Sequence, residues 1–126
     1  NITDYICGFF RPLFKRIFKV SQDGCYPIII GLMSGFPLGA NKTEVKGFEA
    51  AQAVADGATE VDMVMNIGEM LAGNYDAVKK DIQGVVQAVE GKAVVKVIIE
   101  TAYLDQEQIA AASKLVKEAG ADFVKT

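Results

Sequence analysis

The sequence predicts an α/β fold in which parallel strands alternate with helices, and three observations carry this prediction. From about residue 28 onward, strand-like apolar runs alternate with amphipathic, helix-like segments. Val61, Val94 and Val124 mark successive strands at separations of about 30 residues, the length of one strand–helix unit. The strand-like runs are apolar on both faces, which is typical of a parallel sheet covered by helices.

The first two strands are predicted over 28–33, a β-branched run, and over 60–66. A helix is predicted between them over 43–56, with Gly57 as its C-terminal stop. The apolar residues expected near one face of this helix are Val45, Phe48, Ala51 or Gln52, and Ala55.

The second half of the chain repeats this order. Asn74 is expected to cap a helix, and the third strand follows at 93–100. Asp105 and Gln108 form a variant of the capping box at the start of the next helix, which leads into the last strand at 121–126. Helical spacing gives the apolar positions as Val78, Ile82, Val85, Val86 and Val89 in the first helix and Ile109, Ala112, Val116 and Ala119 in the second.

Two architectures fit this alternation, a doubly wound open sheet and an arc of a (β/α)8, or TIM, barrel. The two-residue period of a strand leaves one face of the third strand purely apolar and gives the other face Lys96 and Glu100. Asp62 and Lys125 fall on the corresponding faces of their strands. Polar groups directed to one shared interior favour the barrel. Because a whole barrel takes about 250 residues, four parallel strands with their helices make a partial barrel, about half of it.

Three charged residues in apolar strands indicate a site, because burying an unpaired charge costs several kcal/mol. Lys125 stands at a strand tip after apolar neighbours, where desolvation and a second cation such as Lys96 would favour a neutral amine suited to Schiff-base chemistry. A strand-tip lysine can also simply extend into solvent. Asp62 is suited to proton transfer. Lys96 acts either in the site or as a buried partner of Glu100 or Asp62.

Composition excludes several classes of function. The chain has 126 residues, a net charge of −3 and no histidine, which removes histidine-based catalysis and histidine metal ligands. The net negative charge does not indicate a nucleic-acid-binding surface. Cys7 and Cys25 do not form a disulfide framework, so a cytoplasmic location is expected. The sequence contains no membrane-length apolar run, signal peptide or nucleotide loop. Glu60 and Asp62 share a face and could bind a divalent cation, but Glu60 is expected in solvent; no metal or cofactor is predicted.

Residues 1–27 do not join the alternation. We therefore divide the chain into a poorly matching N-terminal stretch, 1–27, predicted to be helical in part, and a partial barrel domain, 28–126. Apolar and basic residues alternate between 9 and 19 with helical spacing. This pattern fits a membrane-surface segment, but an ordinary barrel helix with a charged face is the favoured interpretation. Since the chain begins with Asn1, the true N-terminus is expected elsewhere.

Five segments resemble the deoxyribose-phosphate aldolase family. They occur in the family's order and spacing, at 35–46 (GFPLGANKTEVK), 57–64 (GATEVDMV), 66–68 (NIG), 95–101 (VKVIIET) and 119–126 (AGADFVKT). The resemblance implies a class I aldolase on a TIM barrel. Such an enzyme splits 2-deoxy-D-ribose 5-phosphate into D-glyceraldehyde 3-phosphate and acetaldehyde, without a cofactor.

Position by position, Lys125 matches the family's Schiff-base lysine and Asp62 its proton-relaying aspartate. Lys96 matches a lysine that lines the pocket beside the Schiff base. The implied partner is a small sugar phosphate or aldehyde, with a homo-oligomer as a possible assembly and neither nucleic acid nor membrane as a partner.

The chain departs from the family in two respects. The match fades upstream of Gly35, and the family's second catalytic lysine and glycine-rich phosphate loops lie on strands beyond Thr126. We therefore expect a fragment that is a poor catalyst alone. The alternatives are an inactive or scaffolding piece and another class I aldolase on the same fold.

Overall fold

The computed structural model describes residues 31–126, in which four strands alternate with helices. The elements in chain order are β1 (Gly31–Ser34), α1 (Thr43–Ala55), β2 (Glu60–Val64), α2 (Ile67–Leu71), α3 (Tyr75–Val89), β3 (Val94–Ile98), a 3-10 turn (Thr101–Tyr103), α4 (Gln106–Glu118) and β4 (Phe123–Lys125). All four predicted strands are present; β2, β3 and β4 are shorter than predicted, and β1 ends at Ser34, one residue later than predicted. The start of the first predicted strand, 28–30, and the predicted N-terminal stretch, 1–27, lie outside the described residues.

The sheet has the order β1-β2-β3-β4, and every neighbouring pair is parallel. A doubly wound sheet reverses its strand order at a switch point, whereas a barrel adds each new strand beside the last. The sequential order therefore confirms the predicted barrel arc. Its register places one row of residues across the sheet, namely Met33, Asp62, Lys96 and Phe123.

The core lies between the helices and one face of the sheet. In β2 and β3 alternate residues are directed into it, and Met63 and Val97 are fully buried there. Helices α3 and α4 contribute the predicted apolar stripes, with Val78, Ile82, Val85, Val89, Ala112 and Val116 all buried. The opposite face of the sheet carries the polar residues, as the two-residue period predicts. No helix within 31–126 has both the length and the apolar character needed to cross a membrane.

The predicted apolar face of α1 is wrong. Val45 and Phe48 are exposed, while the buried stripe contains Gly47 and Ala50. The reason is the close approach of α1 to α3 on the side of Gly47: a Cβ atom on Gly84 of α3 would lie only 2.3 Å from Cγ2 of Thr43, at the start of α1. Larger side chains do not fit between the two helices there, and Val45 and Phe48 lie on the other side of α1.

The helix starts are only partly as predicted. Asp105 and Gln108 form the expected capping box on α4. Asn74 occupies the N-cap position of α3, but its amide donates a 2.6 Å hydrogen bond to Glu69 and its side chain does not cap the helix. Glu69 belongs to α2, a five-residue helix that the sequence interpretation missed because so short an element shows no periodicity.

The N-cap residues Asp105 and Asn74 give a first testable prediction. Asp105→Ala should lower the free energy of unfolding by about 1 kcal/mol, because the exposed backbone N–H of Gln108 loses its side-chain acceptor. Denaturant titration measures the loss, and Asp105→Asn should retain most of the stability. Asn74→Ala is the matched control, at an N-cap whose side chain does not cap. Equal losses in the two alanine variants would contradict the assignment.

Candidate functional site

The structure brings Asp62 and Lys125 into contact on the polar face of the sheet. Lys125 Nζ donates a hydrogen bond of 2.5 Å to Asp62 Oδ2. The two residues lie on β2 and β4, with β3 between them, and Lys125 is in register with Ile98 while Asp62 is in register with Lys96. The contact therefore crosses β3 diagonally, and it joins the two residues from which the sequence predicted amine and proton-transfer chemistry.

The second oxygen of Asp62 has a different environment. Asp62 Oδ1 is buried and finds no hydrogen-bond partner among the described residues. A buried acceptor without a partner costs about 1–3 kcal/mol. This oxygen is therefore a place where a proton donor, such as a water molecule or a substrate hydroxyl, would be bound favourably.

Lys125 is more exposed than the sequence interpretation expected. Its side chain is 49% exposed, and its neighbours Phe123 and Val124 are exposed as well. The physical reason is that β4 is an edge strand of the described sheet, so its side chains have a neighbouring strand on one side only. The expected desolvation by its own strand is not observed. The amine is accessible to a small aldehyde, and Asp62 is its charged contact.

Lys96 has a partner that the sequence interpretation did not propose. Its Nζ lies 2.5 Å from Oε2 of Glu60, the residue that was expected in solvent, and neither Asp62 nor Glu100 is its partner. The hydrogen bond that the Lys96 ammonium donates to the Glu60 carboxylate is the main cause that raises the pKa of Lys96 above its ordinary value. Partial burial opposes this, while the negative charges of Glu60 and Asp62 add to it. Lys96 is therefore a fixed cation beside the Asp62–Lys125 contact.

Glu60 and Asp62 share a face of β2, as predicted, but each carboxylate contacts a lysine. Within 31–126, no cluster of three or more aspartate, glutamate, cysteine or histidine residues is arranged to hold a metal ion. The two carboxylates thus act as partners of cations from the chain itself.

An apolar hollow lies beside the carboxyl ends of β1, β2 and β3. Its volume is about 370 Å³, and its lining comes from the loop before α1, from α2 and from the 3-10 turn. The lining residues are Leu38, Ala40, Asn66, Ile67, Gly68, Leu71 and Tyr103. The sequence interpretation did not find this hollow, because its lining residues come from three segments that are far apart in the sequence. The signal that could have indicated it is the presence of apolar residues beside glycines in the segments 35–46 and 66–68.

Comparisons with known proteins agree on one family. The model of the DeoC/LacD family of aldolases matches residues 14–126. A deoxyribose-phosphate aldolase of Enterococcus faecalis is 64% identical over 92 residues, which cover 73% of this chain and 42% of that protein. A second, from Clostridium novyi, is 61% identical over 92 residues and is covered to 41%. The chain thus spans about two fifths of the length of these curated relatives.

Solved structures are similar as well. QR15, described as an aldolase, superposes with a TM-score of 0.77 at 42% identity, over 82% of this chain and 47% of that one. A tetrameric deoxyribose phosphate aldolase from Aeropyrum pernix superposes with a TM-score of 0.70 at 37% identity, over 79% of this chain and 41% of that one. Both agree with the barrel arc described above.

Proposed function

Because the chain belongs to the DeoC/LacD family of aldolases, we propose that it supplies the Schiff-base centre of a deoxyribose-phosphate aldolase. The substrate is 2-deoxy-D-ribose 5-phosphate, and the products are acetaldehyde and D-glyceraldehyde 3-phosphate. The observation that supports this most directly is the 2.5 Å contact between Lys125 Nζ and Asp62 Oδ2. It pairs an accessible amine with a carboxylate able to take its proton.

In the proposed mechanism, Lys125 transfers a proton to Asp62 and attacks the aldehyde carbon C1 of the sugar phosphate. Loss of water gives an iminium ion. Removal of the proton from the C3 hydroxyl breaks the C2–C3 bond, whose electron pair moves into an enamine, and glyceraldehyde 3-phosphate leaves. Protonation of the enamine at C2 and hydrolysis release acetaldehyde and restore the amine. Asp62 serves the proton transfers, directly or through a water molecule bound at Oδ1.

Lys96 has a supporting role in this proposal. Its raised pKa keeps it protonated, so it is poorly suited to being the nucleophile. Its ammonium, held by Glu60, supplies a positive charge beside the Asp62–Lys125 contact. We further propose a homo-oligomer, in line with the tetrameric relative, and a cytoplasmic location, in line with the cysteine usage.

The nucleophile is tested by borohydride reduction of the 126-residue chain in acetaldehyde, followed by peptide mass mapping. Acetaldehyde carries no phosphate, so the test is independent of any phosphate site. We expect the reduced adduct on Lys125, with its loss in Lys125→Met. Lys96→Met is the matched control and should retain the adduct. Adduct formation on Lys96, or its persistence in Lys125→Met, would overturn the assignment.

The role of Asp62 is tested by deuterium exchange at C2 of acetaldehyde in D₂O, since the imine exchanges these protons only when a base removes them. Asp62→Asn should slow the exchange by about 10²- to 10⁴-fold, while the borohydride adduct on Lys125 still forms. Lys125→Met sets the background rate. Exchange at the unaltered rate in Asp62→Asn would assign the proton transfers to another group.

A further inference from the structure

Four charged side chains on the polar face of the described sheet form two pairs, Lys96 with Glu60 and Lys125 with Asp62. The strand register alone would favour a different partner for Lys96. Lys96 lies directly opposite Asp62 on the neighbouring strand, whereas Glu60 is opposite Val94. The ammonium of Lys96 nevertheless contacts Glu60, on the diagonal. Adjacent strands lie only about 4.8 Å apart, so Asp62 is also within reach of this flexible side chain.

We propose that Glu60 is a positioning residue that holds the ammonium of Lys96 and thereby reserves Asp62 for Lys125. This inference rests on the proposed function, in which Asp62 must exchange protons with the Lys125 amine and the bound substrate. It adds a role for a carboxylate that touches neither Lys125 nor the predicted reacting atoms.

The unpartnered oxygen of Asp62, Oδ1, is the reason why Lys96 must be held away from Asp62. Asp62 Oδ1 is buried and has no partner among the described residues, so it would readily accept a hydrogen bond from a neighbouring ammonium. An oxygen that accepts from a second ammonium is no longer free to bind the water molecule or substrate hydroxyl that the proposed proton transfers need. Without Glu60, the Lys96 ammonium would be attracted to Asp62 and would occupy this oxygen.

The neighbours of Lys96 offer it no other carboxylate within its own row. Across the sheet, the residues in register with it are Asp62 on one side and Phe123 on the other, and the next along is Met33. Glu100, which the sequence suggested as a partner, follows the end of β3 and does not contact it. The choice for Lys96 is therefore between Glu60 and Asp62.

The test is trace acetylation of the 126-residue chain with acetic anhydride, read out lysine by lysine through peptide mass mapping. It needs no substrate, so it reports the charge arrangement whether or not the chain forms an imine. In Glu60→Gln, the ammonium of Lys96 should move to Asp62, so that Asp62 is shared between Lys96 and Lys125 and holds Lys125 less firmly. We expect acetylation of Lys125 to rise about two- to five-fold, the change that loss of one exposed ion pair implies.

Two further variants separate this effect from general loosening. In Glu60→Gln/Lys96→Met the competing cation is gone, so acetylation of Lys125 should return to the wild-type level. Glu90→Gln is the matched control, because it removes the carboxylate that contacts Lys92 at 2.7 Å on an exposed surface. It should raise the labelling of Lys92 and leave Lys125 unchanged. Glu60→Asp, whose shorter side chain withdraws the acceptor, replaces Glu60→Gln if that variant does not fold.

The inference fails if acetylation of Lys125 is unchanged in Glu60→Gln. It also fails if acetylation rises in Glu60→Gln and stays raised in Glu60→Gln/Lys96→Met. Deuterium exchange into acetaldehyde links the result to chemistry: it should slow in Glu60→Gln. If the labelling pattern is as expected but no borohydride adduct forms on Lys125, the proposed function fails and the arrangement of charges stands. If the adduct forms and the labelling pattern is absent, only the role of Glu60 is rejected.

Discussion

Lys46→Ala is expected to lower the free energy of unfolding by about 3–5 kcal/mol, the cost of removing one partner of a buried ion pair. The Lys46 side chain is fully buried, and its Nζ lies 2.6 Å from Asp81 Oδ2 and 3.1 Å from the carbonyl oxygen of Val64. Its removal leaves the Asp81 charge inside the protein with only the hydroxyl of Thr43 as a described side-chain donor. Urea titration measures the change.

Two comparisons define this result. Lys79→Ala removes the partner of Glu118 in a half-exposed pair with an N–O distance of 2.9 Å, and should cost less than about 1 kcal/mol. Lys46→Met/Asp81→Asn removes both buried charges and should recover much of the stability lost in the single variant. If Lys46→Ala costs no more than Lys79→Ala, the buried pair does not stabilise the fold as described.

Gly39→Ala is the second substitution with a large expected effect, about 2–6 kcal/mol from backbone strain and overpacking together. Gly39 has a φ of +66°, and a Cβ atom there would lie 1.8 Å from the carbonyl oxygen of Met65. The obstacle is backbone just beyond β2, which cannot turn aside as a side chain can. The loop before α1 would have to move away from the sheet.

Thermal unfolding measures this loss, and the chain offers a matched control. Gly73 has a similar φ of +77°, but a Cβ atom there would meet nothing within 4 Å. Gly73→Ala should therefore show only the strain of the positive φ, about 1–2 kcal/mol. A loss in Gly39→Ala no greater than that in Gly73→Ala would show that the loop adapts to the clash.

The sequence predicted the fold well where periodicity is long and unbroken. The alternating pattern of β3 predicted both faces correctly, and four of the five apolar residues predicted for the buried face of α3 are buried, with Val86 partly buried. The face of α1 was missed because its contact with α3 depends on Gly84 of that helix, whose role is visible only when the two helices are in place. Lys46 was missed for a related reason: a helical lysine is usually exposed, and its partner Asp81 lies on another helix.

The sequence placed the charged residues of the candidate site on one face of the sheet, but it did not predict all of their partners. Asp62, Lys96 and Lys125 were identified because charges are rare in apolar strands. Their partners depend on side-chain conformation, which no spacing rule supplies, so the contact of Lys96 with Glu60 was not expected. The exposure of Lys125 was also missed, because it depends on whether a further strand lies beside β4.

The position of Lys125 on the edge of the sheet links its reactivity to assembly. The outer side of β4 presents backbone N–H and C=O groups to which another strand can add, from the same chain or from another. A strand in that place would shield Phe123 and Val124 and exclude water from the amine. For the proposed nucleophile, a strand added beside β4 would extend the parallel sheet and lower the solvent exposure of the amine in a single step.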